Sequence, residues 1–91
     1  MKFSDLKFNK MLDGVQAIAD FGPYELSVVK HSGSYGGKQG LYEIGVFDKL
    51  AGMVPLPGVT NDGDSVRGYL TEEEVSAILL KMKSIVGPEN E

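Results

Sequence analysis

Apolar and polar positions alternate with a period of two through most of this chain up to Tyr69, and the period then changes to that of a helix. Residues 15–19 and 24–29 read as strands. Asp20, Phe21, Gly22 and Pro23 between them carry turn residues, so the pair should form a hairpin. Residues 41–47 read as a third strand, with Tyr42, Ile44 and Val46 on one face and Glu43 and Gly45 on the other. A hairpin loop at 48–52 leads into a shorter strand at 52–56. Pro55 lacks an N–H, which puts that strand at an edge or ends it early. Residues 7–12 are a further, N-terminal strand candidate.

The helical period carries its own start and stop. Thr71 is a favoured N-cap, Glu74 completes a reciprocal capping box, and Leu70 with Val75 makes a hydrophobic staple. Val75, Ile78, Leu79, Met82, Ile85 and Val86 then recur at helical spacing, opposite Glu72, Glu73, Lys81 and Lys83. Gly87 and Pro88 end the run, because glycine accepts the left-handed closing residue and proline cannot continue the ladder. The pattern predicts an α+β fold: an antiparallel meander of four to five strands, one face solvated and the other covered by a C-terminal amphipathic helix. Its 91 residues make a single domain, with 88–91 expected to be a frayed tail.

Composition narrows the class without naming a chemistry. A chain this short buries only about two-thirds of its unfolded surface, so a homodimer would be an easy way to bury more. Without cysteine there are no disulfides, thiolate nucleophiles or Cys-based zinc sites. The net charge of −4, with basic residues clustered only at Lys7 and Lys10 and at Lys81 and Lys83, argues against a nucleic-acid partner. There is no apolar run to span a membrane, and MKFSDLKFNKM lacks the apolar centre of a secretory signal, so the cytoplasm is the expected location. The acids are expected to form a solvated face, with Glu72–Glu74 in the helical turn where the macrodipole favours anions.

Two loops hold the candidate chemistry. Residues 31–40, HSGSYGGKQG, contain four glycines and are longer than a hairpin needs. The GSYGGK stretch resembles a phosphate loop but has the wrong spacing and no following helix; a flexible hairpin connection is the simpler reading. A weaker possibility keeps its backbone amides, with His31, Ser34, Tyr35 and Lys38, as a cradle for a small nucleotide or metabolite. Residues 57–65 include Asp62 and Asp64, which fit turn formation better than a calcium loop, because Arg67 stands where that loop needs glycine. His31 is the only histidine, and the serines lie in no nucleophile motif, so the chain reads as non-catalytic, with no cofactor and no metal. Phe21, Tyr24, Tyr42, Phe47 and Tyr69 are expected in the core or beside a hairpin. Tyr35 is the exception at the loop tip, either folded back on the sheet or presented as a contact.

The order of the segments carries a likeness. MKFSDLKF, then Gly14-Val15-Gln16-Ala17, the strand from Tyr24 to Val29, Ser34-Tyr35-Gly36-Gly37, Gly40-Leu41-Tyr42-Glu43-Ile44 and the run from Val66 to Val75 resemble small proteins of unknown function encoded by tailed bacteriophages. That resemblance implies the cytoplasm of an infected bacterium and an accessory role in which the protein binds and modulates or inhibits a host protein. It carries no site residues. His31, Ser34, Tyr35, Lys38, Asp62 and Asp64 are the candidate binding positions on the loop argument alone.

Overall fold

A computed structural model of the chain describes residues 1–87. The expected tail at 88–91 lies outside the described residues. Six antiparallel strands form one sheet: β1 (Asn9–Met11), β2 (Gly14–Asp20), β3 (Tyr24–Lys30), β4 (Tyr42–Asp48), β5 (Gly52–Met53) and β6 (Val66–Leu70). The first five pair in chain order, as a meander does, and β6 returns to pair with β4. The free edge of β4 is thus shared: β5 takes its Phe47–Asp48 end and β6 the stretch from Tyr42 to Gly45. The helix α1 (Glu72–Val86) follows β6 directly and packs on one face of the sheet.

Both ends of α1 are fixed by local chemistry. Glu74 N–H donates to Thr71 Oγ1 at 3.1 Å, and Thr71 N–H donates to Glu74 Oε1 at 2.9 Å. The Thr71 N–H first, and then the Thr71 side chain, hold the Glu74 carboxyl below its ordinary range, and the nearby Arg67 charge adds to the effect. Gly87 closes the helix at φ 84°. Val75, Ile78, Leu79 and Met82 are buried against Leu26, Val28, Ile44 and Val46 of the two central strands, so the helical stripe and the strand alternation meet in one core. Phe3, Phe8 and Tyr42 form an aromatic cluster at its edge, with ring centroids 5.0–5.8 Å apart.

Three expectations need correction. The strand expected at 52–56 is only two residues, because Pro55 removes a donor just beyond it. The sequence pattern marks no strand where β6 lies. Tyr69, expected in the core or beside a hairpin, is 58% exposed. The last two share a cause. Between Arg67, opposite Ile44, and Leu70, opposite Tyr42, two residues, Gly68 and Tyr69, face the single residue Glu43. This bulge takes Tyr69 out of the strand's phase and sets it at φ 59°.

Candidate functional site

The bulge in β6 is also where the glycine-rich loop is fastened. Tyr69 N–H donates to the carbonyl of Tyr35 at 3.1 Å, and Tyr35 N–H donates to Glu43 Oε1 at 2.8 Å. A side chain at Gly68 would collide with Cβ of Tyr35, so the two backbones can meet only because residue 68 is glycine. Inside the loop, Ser34 Oγ donates to the His31 carbonyl at 2.8 Å and accepts from His31 N–H at 3.0 Å. Gly33 N–H donates to His31 Nδ1 at 3.0 Å, which uses that ring nitrogen as an acceptor. Ser32 N–H donates to Asp13 Oδ1 in the β1–β2 turn at 3.0 Å. The Asp13 carboxyl is held below its ordinary range by the Ser32 side chain first, then by that N–H. A short 3-10 turn, Gly37–Gln39, closes the loop, and Gly37 lies too close to the His31 carbonyl to accept a side chain.

The flexible hairpin expected at residues 31–40 is therefore a bonded platform. Close packing requires glycine at Gly36 and Gly37, and a positive φ favours it at Gly40. The platform presents two tyrosines. Tyr35 and Tyr69 are each 58% exposed and joined through their backbones. Holding a bulky residue in the left-handed region costs of order 1–3 kcal/mol, and such strain persists only where the surroundings over-determine it. Here the Tyr35 carbonyl is the partner that fixes Tyr69.

Among the residues singled out from sequence, Ser34 and Lys38 line a shallow depression with Ser32, Gly36, Gln39 and Tyr69, enclosing about 260 Å³. Tyr35 and His31 are not among its lining residues: the Tyr35 carbonyl accepts from Tyr69 N–H, and His31 Nδ1 accepts from Gly33 N–H within the loop. Asp62 and Asp64 do not join them. They sit in the turn before β6, at the opposite end of that strand from Tyr69, where Asp64 Oδ1 accepts from Val66 N–H at 3.3 Å as a turn-former does. Sequence reasoning missed Tyr69 and Glu43. The Gly68–Tyr69 pair, a glycine before an aromatic in an otherwise alternating run, was the available signal.

Comparison with models of protein families, with curated proteins and with solved structures finds no match to this chain. Among the described residues no helix is long and apolar enough to cross a membrane, and no three potential metal ligands come together.

Proposed function

We propose that this chain is a non-catalytic binding protein that engages another protein through Tyr35 and Tyr69. The observation behind this reading is the pair itself: two large, half-exposed aromatics on backbone already ordered by hydrogen bonds. Tyrosine offers a wide amphipathic contact with few rotors and is enriched at interface hot spots. Preorganised backbone lowers the ordering entropy that association must overcome. The resemblance to small proteins of tailed bacteriophages makes a bacterial host protein the partner to seek first.

The depression beside Tyr69 supports a second reading, a small-ligand site using Lys38 and the loop amides. Its volume falls below the roughly 300–1,000 Å³ usual for ligand pockets, and its lining is largely polar, so the protein-binding reading is preferred.

Affinity capture from a bacterial lysate with the wild-type chain and with Tyr35→Ala, read by mass spectrometry, tests the proposal. One stoichiometric protein retained by wild type and lost by a Tyr35→Ala chain of unchanged melting temperature is the expected outcome. Equal retention by both chains overturns the tyrosine contact. A nucleotide or metabolite co-purifying in place of a protein supports the ligand reading.

A further inference from the structure

The face of the sheet away from α1 has a composition that the core does not explain. Ala17 and Ala19 of β2 and Leu26 and Val28 of β3 are buried, the last three of them in the core under α1, so the alternate residues Gln16, Ile18, Glu25, Ser27 and Val29 point the other way. On β4 the same face carries Glu43, Gly45 and Phe47. Met53 of β5 and Val66 of β6 flank Gly45, and their side chains lie over it: a Cβ there would come 3.2 Å from Met53 Cε and 3.5 Å from Val66 Cγ1. Ser27, only 8% exposed, is covered by Gln16, whose Nε2 donates to its hydroxyl at 3.0 Å. Small residues thus run along the middle of this face, with Ile18 on one side and Met53 on the other, each about half exposed.

The charges on the face are net negative, three carboxylates against one ammonium, that of Lys49. Glu25 and Glu43 belong to it, as does Asp20, whose carboxylate binds Lys49 Nζ at 2.9 Å. The other strand cations turn to the opposite side. Lys30 Nζ sits 4.9 Å from the Tyr42 ring centroid, and Arg67, opposite Ile44, lines a groove with Glu74 and Lys81 against α1. Lys38 stands at the far end, in the depression beside Tyr69. Two copies meeting through this face would bring carboxylates against carboxylates, and an anionic surface would be repelled.

We infer that this open face is the bed for a cationic amphipathic helix of a partner protein, lying over Ser27 and Gly45 between Ile18 and Met53. Three strands of seven residues give a bed of about 23 Å along the strands, the length of about fifteen helical residues, which is also the length of α1 on the other face. Leucine-like side chains of the helix contact Ile18, Phe47, Met53 and Val66, and its flanking lysines or arginines meet Glu25 and Glu43. Methionine suits this task because its unbranched, polarisable side chain re-packs readily around a guest. The inference rests on the protein-binding reading and extends it, since Glu43 holds Tyr35 at one end of the same face.

The test uses the full chain, isotope-labelled, titrated in amide NMR with a helical peptide of about eighteen residues, leucine on one face and lysine on the other. A leucine–glutamate peptide of the same pattern is the control. Expected are shifts at Ile18, Ser27, Gly45, Phe47, Met53 and Val66, and affinity that falls with salt. An Ile18→Lys, Met53→Lys chain should bind about tenfold or more weakly, and Glu25→Lys, which keeps the apolar bed, should also weaken binding. The inference is overturned by equal binding of the acidic peptide or by shifts confined to the outer side of α1. Concentration-dependent shifts on the face without peptide also overturn it, by showing that a second copy lies there. If Tyr35→Ala loses its lysate partner while the peptide leaves the sheet untouched, this inference fails and the tyrosine contact stands. The reverse pattern separates them the other way.

Discussion

The two faces of the sheet are kept from water by different means. On the covered face, Leu26, Val28, Ile44 and Val46 are sealed by Val75, Leu79 and Met82 of another element, and the charged residues of the helix stay outside. On the open face, Ser27 and Gly45 are nearly as inaccessible, yet what covers them is Gln16 and Met53 from the neighbouring strands. A helix can leave only if the domain unfolds, whereas a glutamine and a methionine can swing aside within the native state. Stability should therefore concentrate on one face and adaptability on the other. Substitutions can set the two against each other.

The largest effect belongs to the covered face. Leu79→Ala should lose about 2–5 kcal/mol in denaturant unfolding, from lost transfer energy and the cavity left behind. Next is the joint between loop and bulge. Gly68→Ala should lose about 1–3 kcal/mol, because Tyr35 must move, and hydrogen exchange should accelerate at Tyr35 and Tyr69 before the core is affected. Thr71→Ala should lose about 1 kcal/mol in the same unfolding assay by removing the cap. Ile18→Gln on the open face should stay within about 0.5 kcal/mol of wild type, as half-exposed surface positions do. A loss as large as that of Leu79→Ala would erase the contrast between the faces.

The smallest effect appears in acid. The Thr71 hydrogen bonds lower the Glu74 carboxyl in the folded state, so its ionisation favours folding above the ordinary glutamate value of 4.5. That contribution fades as pH falls through the depressed folded value. Glutamine can keep the capping geometry without the charge, so Glu74→Gln isolates this term. The melting-temperature gap between wild type and Glu74→Gln should be widest near neutral pH and should close below the ordinary glutamate range.

What could be read in the sequence was whatever is local. The limits of α1 follow from Thr71, Glu74 and Gly87, all within a turn of the ends they fix. The β2–β3 hairpin follows from the turn at Asp20–Pro23, where Asp20 Oδ1 accepts from Gly22 N–H at 2.8 Å. β6 escaped because its bulge breaks the period-two signal at Gly68 and Tyr69, and the bulge exists only in relation to Glu43 on another strand. The loop at 31–40 reads as flexible in the sequence for a related reason. Glycine in isolation means freedom, and the contacts that remove it come from Tyr69, more than thirty residues along the chain. His31, Ser34, Tyr35 and Lys38 were found because they crowd into one loop. Tyr69 and Glu43 were missed because only folding brings them there.

The bond from Phe3 N–H to Ser76 Oγ, at 2.8 Å, joins residues 73 positions apart and ties the first short turn to the last helix. A ribosome makes β1 to β6 before it makes α1. Until the helix emerges, the nascent sheet must wait with Leu26, Val28, Ile44 and Val46 uncovered and the segment around Phe3 undocked. Closure of this face thus waits for α1, and a pause in translation across residues 72–86 would prolong the interval in which the uncovered sheet can be captured by chaperones or by other nascent chains.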